Sequence, residues 1–177
     1  MSLTDSTYFV LEINIPQGTY NTIAEHIARY ERDILIQLLG YDLAKLVLAY
    51  DSSTSPQRIK DIVEGKEYAV GDYMVKWNGL LNTEKVSILS YYVYMKYLEN
   101  YIVTFQNIGL VSSNAEGGTM VSPGVKYQQI GYALRELAGY SGQDQYVPSL
   151  YNFLSVYEST YTEWLFNEFR APNVFGI

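Results

Sequence analysis

The stretch from Val86 to Phe105 constrains the fold more than any other part of this chain. Ile88, Leu89, Tyr92, Val93, Met95, Leu98 and Ile102 recur through it at helical spacing, and only Lys96 and Glu99 within it are charged, with Lys85 just outside. A surface helix needs an apolar stripe along one side, whereas a helix that is apolar almost all round must be surrounded by other elements. The charges and the many tyrosines break the run too often for a membrane span, which takes ~18 or more consecutive apolar residues. The segment therefore predicts a central helix within a bundle.

Its surroundings read mostly as further helices. Ile23, Ile27, Tyr30, Ile34 and Leu38 fall at three- and four-residue steps with Glu25, Arg29 and Arg32 between them. Past Gly40 the stripe restarts at Leu43, Leu46, Val47 and Tyr50, which predicts helical structure over about 21–50. Pro56 opens a helix over 56–64 with Gly65 as its stop, and Asn82 or Thr83 caps the central helix over about 83–107. Ser122-Pro123 opens a helix over 123–138, and Pro148 precedes one over 149–158. Two β-prone runs flank Gly71-Asp72 and predict a hairpin over about 67–77. Residues 8–15 alternate like a strand and end at Pro16 and Gly18, while the tail over 162–177 carries Trp164, Phe166, Phe169 and Phe175 without helical period and reads as extended and docked. With 177 residues, no internal repeat and no long linker, the expectation is a single mainly α domain: a helical bundle around a central apolar helix, with a small β-hairpin, an extended N-terminal strand and an extended C-terminal tail.

The chemistry available to such a chain is narrow. It has no cysteine, which removes disulfides, thiolate metal sites and thiol nucleophiles and suits a reducing compartment. Met1 to Asp5 lack the basic start of a secretory signal, so the expected location is cytosolic. A net charge of -7 repels the phosphate backbone and argues against general nucleic-acid binding. The single histidine, His26, cannot build a two-histidine metal site or a Ser-His-acid triad, and no Gly-x-Ser-x-Gly elbow is present. Glu31, Asp33, Asp42, Glu64 and Glu67 are carboxylates of the type a glycosidase pairs, but their local contexts are those of solvated surface acids. The segment Asn114-Ala-Glu-Gly-Gly lacks the lysine and spacing of a phosphate loop. No catalytic residue, cofactor or metal is expected.

Protein contact is the remaining function class, and tyrosine is its marker. The chain has 19 tyrosines, each offering an apolar face and a polar tip suited to surfaces that are wet before assembly. Tyr91, Tyr94, Tyr97 and Tyr101 point in several directions from one helix, so some of them face away from its core contacts. They and the aromatic tail residues Trp164, Phe166, Phe169 and Phe175 are the candidate interaction residues.

The run from Tyr30 through Gly40 to Leu43, then Trp77-Asn-Gly-Leu80, Ser90-Tyr-Tyr-Val-Tyr94, Ala115-Glu116 with Val121-Ser-Pro123, and Val174-Phe-Gly-Ile177, together resemble a family of tailed-phage and prophage proteins of gut anaerobes. That family is similar to head-tail connector or adaptor proteins, and the resemblance spans about 20–177. It implies a ring homo-oligomer in contact with portal protein and tail-completion proteins, in the host cytoplasm during assembly and then in the virion. DNA would be passing cargo, with no sequence-specific nucleic-acid contact and no membrane. It carries over no catalytic residue. A different class, a small acidic protein-binding module such as a phage-encoded inhibitor or host-interaction factor, suits the same composition and differs in needing only a one-to-one partner.

Overall fold

The computed structural model describes residues 2–15, 20–108 and 123–169, without the side chains of 20–22, 101–108 and 123. Its regular elements are α1 (Tyr20–Leu39), α2 (Tyr41–Leu48), α3 (Gln57–Glu64), β1 (Lys66–Val70), β2 (Tyr73–Trp77), α4 (Ile88–Ile108), α5 (Pro123–Ala138) and α6 (Leu150–Val156). The fold is mainly helical with one two-stranded antiparallel hairpin, as the sequence predicts.

α4 is the central helix. It packs against both α1 and α5, and Tyr91 through Met95 are buried one after another, so more than a full turn is covered on every side. Its two charges are neutralised locally: Lys96 Nζ lies 2.8 Å from Glu99 Oε2, and Tyr127 of α5 donates to Glu99 Oε1 at 3.2 Å. α1, which packs on it, contributes Ile23, Ile27, Ile34, Leu35 and Leu38 to the core, all buried, each worth about 1.5–3 kcal/mol of apolar burial. Gly40, at φ +80°, turns the chain between α1 and α2, a backbone conformation that favours glycine, and a Cβ there would press on the Leu165 side chain at 3.1 Å.

α4 begins later than the sequence predicts. Asn82 does not cap a helix at 83. Its Oδ1 accepts from Val86 N at 3.2 Å and its Nδ2 donates to Val86 O at 2.8 Å, which closes a loop in which Lys85 takes φ +59°. The cap is Ser87, whose hydroxyl accepts from Leu89 N and donates to Leu80 O at 2.6 Å.

The hairpin forms in the expected place, with Val70 paired to Tyr73 across Gly71-Asp72. Tyr68, Val70, Val75 and Trp77 are buried, and Trp77 stacks on Phe153 of α6 with ring centroids 6.3 Å apart. Residues 62–65 and 77–81 cross in backbone contact: Leu81 N donates to Val63 O at 2.7 Å, and Trp77 Nε1 donates to Ile62 O at 2.9 Å. Gly65 and Gly79 permit this, because a Cβ on either would lie within 2.5 Å of the opposing backbone.

The N-terminal strand over 8–15 does not form. The segment makes two 3-10 turns, Ser6–Tyr8 and Leu11–Ile13, lying against α1 and α4. The only sheet among the described residues is the hairpin, so residues 8–15 have no ladder to join and their backbone groups close locally. Phe9, Ile13 and Ile15 are buried, but Leu11, at φ +55°, is 72% exposed, against the alternation. Pro16 and Gly18 lie outside the described residues, as do the glycine-bearing segment after Ile108 and the end of the tail. Residues 164–169 have no regular secondary structure, and Trp164 and Leu165 bond to carbonyls at the end of α1.

Candidate protein-interaction surface

Three places gather the groups that matter, and the first of them turns inward. On α4, Tyr91 and Tyr94 are buried, which corrects their candidacy as contact residues. The Tyr91 hydroxyl donates to the Glu12 carboxylate, and burial, reinforced by that carboxylate, pushes its phenol well above the ordinary range, so it stays a donor. Tyr94 is likewise raised by burial, with its ring 6.1 Å from Tyr97 and Lys126 Nζ 5.6 Å from its centroid. Tyr97 is half-buried against His26 at 5.8 Å, and His26 Nε2 lies 3.0 Å from Asn100 Nδ2. The Tyr101 side chain lies outside the described residues. The physical reason for the correction is that α1, α5 and the N-terminal segment enclose α4 completely over Tyr91 to Met95, leaving no outward side for the tyrosines there.

The second place is the strap over 161–169, where the tail crosses the ends of several helices. Tyr161 donates to Arg58 O at 2.8 Å, and Arg58 grips Glu163 through two bonds of 2.8 and 2.7 Å, which holds the Glu163 carboxyl down at about 2. Trp164 Nε1 donates to Leu38 O at 3.1 Å and Leu165 N to Leu39 O at 3.3 Å, so the strap satisfies carbonyls at the C-terminal end of α1. Phe166 packs on Tyr151 with centroids 4.3 Å apart, and Phe169 is buried against Tyr92 at 6.0 Å. Phe169 is therefore a core residue and Trp164 a half-buried anchor, whereas Leu165 and Phe166 (64% and 39% exposed) present an apolar patch, with Leu165 against Gly40, the residue before the exposed Tyr41. Phe175 lies outside the described residues.

The third place was not among the sequence candidates. Beside β2 lies an open concavity of about 460 Å³ lined by Tyr73, Met74, Val75, Lys76, Asn78, Tyr146 and Pro148. Tyr73 and Met74 are 65% and 67% exposed, and Tyr73 meets Tyr146 edge-on at 5.3 Å. Strand alternation holds the only signal for it: the period that buries Val75 and Trp77 turns Met74 and Lys76 outward. Tyr146, more than 70 residues away in sequence, could not be joined to them by pattern.

Two of the candidate carboxylates are engaged within the fold. Glu31 departs most from expectation: it is 3% exposed, not solvated, and accepts from Leu3 N, from Thr4 N at 2.8 Å and from the hydroxyls of Ser2 and Thr4. It fastens the N-terminal segment to α1. Glu64 accepts from the Tyr50 hydroxyl, whose pKa is pushed up to about 12 by burial and by that carboxylate. Among the described residues, no group of three His, Asp or Glu side chains has the arrangement of a metal site, and no helix is long and apolar enough to cross a membrane. Comparison with protein-family models, with curated proteins and with solved structures finds no match.

Proposed function

We propose that this chain is a non-enzymatic assembly subunit of a phage virion, of the head-tail connector type, working in the host cytoplasm during assembly and then in the particle. The observation that carries the reading is the presence of two unlike apolar patches: Tyr73, Met74 and Tyr146 at the hairpin, and Tyr41, Leu165 and Phe166 at the strap. A connector subunit meets copies of itself beside it and portal or tail-completion proteins above and below, which needs more than one surface on each copy. The resemblance of Tyr30 to Leu43, Trp77 to Leu80 and Ser90 to Tyr94 to connector proteins favours the same reading. The net charge of -7 fits a subunit lining a path for DNA, because a channel that conducts DNA must not grip it.

The test is absolute mass by light scattering over a wide concentration range, alone and with the cognate portal protein, followed by negative-stain imaging of the largest species. A closed ring of roughly a dozen subunits, alone or seated on portal, is the expected result. A chain that stays monomeric throughout and ignores portal sinks the connector reading and favours a one-to-one binding module.

A further inference from the structure

The register of the hairpin determines which backbone groups of β2 are spent and which are free. Gly71 takes φ +58° and Asp72 does not enter the left-handed region, the pattern of a type II′ turn, whose closing bond joins Val70 and Tyr73. Opposed residues in an antiparallel pair alternate between hydrogen-bonded and non-hydrogen-bonded positions. Tyr68 with Val75 and Lys66 with Trp77 are therefore bonded pairs, whereas Ala69 with Met74 and Glu67 with Lys76 are not. The N–H and C=O of Met74 and of Lys76 point away from β1, and no described backbone or side-chain group pairs with them.

The concavity lies along this same edge. Its wall uses Tyr73, Met74, Val75 and Lys76 in succession, and since alternate side chains of a strand lie on opposite faces, a wall made of consecutive residues runs beside the strand rather than over one face. Tyr146 and Pro148 form the far side. Lys76 is the only charged residue lining it and is exposed, and its cross-strand neighbour Glu67 lies on β1, away from the concavity's lining and beyond salt-bridge distance.

We infer that the β2 edge accepts an extended segment of a partner protein as a third strand, with apolar side chains against Tyr73, Met74 and Tyr146 and an acidic residue opposite Lys76. The two N–H and two C=O groups of Met74 and Lys76 give the backbone pairing, and the concavity and the lysine give the selectivity, which is how strand-addition sites divide the task. The assignment rests on the assembly reading only in that the hairpin rim is a protein contact. Ring formation is not part of its readout, so either can fail while the other stands.

The probe is an unbiased displayed library of heptapeptides, selected on the full chain, with the enriched peptides then made blocked at both ends. Enriched sequences are expected to lack proline, to alternate apolar residues and to carry Asp or Glu, and to slow amide exchange at Met74 and Lys76 at least tenfold. Met74→Pro removes only an outward N–H, a position where an edge strand tolerates proline, and should weaken binding at least tenfold. Ala69→Pro, the matching change on the β1 edge, should bind as the parent does. Lys76→Glu leaves the backbone intact and should select against the acidic peptides. No enrichment over blank, or peptides that bind Met74→Pro as tightly as the parent, overturns the inference. Exchange at the same two amides that slows with protein concentration alone assigns the edge to a second copy and overturns the foreign acidic segment.

Discussion

Tyr91, Tyr92 and Tyr94 on α4 and Tyr73 and Tyr146 at the hairpin rim are the same residue with opposite fates. The first three are buried in the middle of the bundle, with the Tyr91 hydroxyl held by Glu12 and the Tyr92 hydroxyl accepting from Gln37 Nε2 at 3.2 Å. The other two expose their rings and touch each other. Tyrosine content thus says little about which tyrosines meet a partner. The neighbours decide: three segments close over α4, while β2 has β1 on one side and, among the described residues, no third strand.

The largest effect that follows is on the interior. Tyr91→Ala empties a buried ring site and should cost about 3–4 kcal/mol, read as a drop in the urea midpoint. A cost under ~1 kcal/mol would show that α4 is not enclosed and that the contrast with the rim is false.

The strap lies between the two cases, and its acid sensitivity sharpens the comparison. Glu163 is held at about 2, below the usual carboxylate value of about 4.3, so its stabilising contribution is complete above that value and fades as pH falls toward 2. Because Arg58 and Glu163 keep about a third of their side-chain surface exposed, solvent screening limits the effect to about 0.5–1 kcal/mol. Wild type should exceed Glu163→Gln by that amount at pH 7, and the two should converge near pH 2 in parallel denaturation curves. A gap that persists at pH 2 would assign the loss to packing instead of the ion pair.

Interior tyrosines also differ among themselves. Tyr68 is buried with its hydroxyl unpartnered among the described residues, whereas Tyr91 has Glu12. Tyr68→Phe should therefore be neutral or stabilise by up to ~1 kcal/mol, since it removes a buried polar group that makes no bond. Thermal melting distinguishes this from a loss, which would mean that the hydroxyl is bonded. The smallest change is expected at the rim, where Tyr73→Ala should shift stability by less than about 0.5 kcal/mol while weakening partner binding. A stability loss as large as that of Tyr91→Ala would place Tyr73 in the core and end the distinction.

Much of the fold was legible without coordinates, for physical reasons tied to particular residues. The all-round apolarity of 86–105 requires enclosure, Gly71-Asp72 between β-prone runs closes a hairpin, and Pro56, Gly65 and Pro148 punctuate helices through local backbone restriction. These signals lie within a few residues of what they determine. The start of α4 was misread because Asn82 has two local uses, capping a helix or closing a loop, and the bond that selects the loop is made to Val86.

The features decided only by tertiary structure depend on residues far apart in the chain. An alternating segment becomes a strand only if another strand lies beside it, and residues 8–15 instead meet helices, with Glu12 accepting from Tyr91 of α4 and the residues just before them fastened to α1 by Glu31. A carboxylate in a helix looks solvated until backbone N–H groups from 27 residues away converge on it. A tyrosine on an apolar helix and one on a strand carry the same sequence signal, and only the packing of other segments around them separates core from surface. The amino-acid order alone determined most of the helices, the hairpin and the central position of α4, because propensity and hydrophobic period act locally. Which aromatic residues remain outside was left to the three-dimensional packing, because exposure depends on what lies across a gap and not on what lies next along the chain.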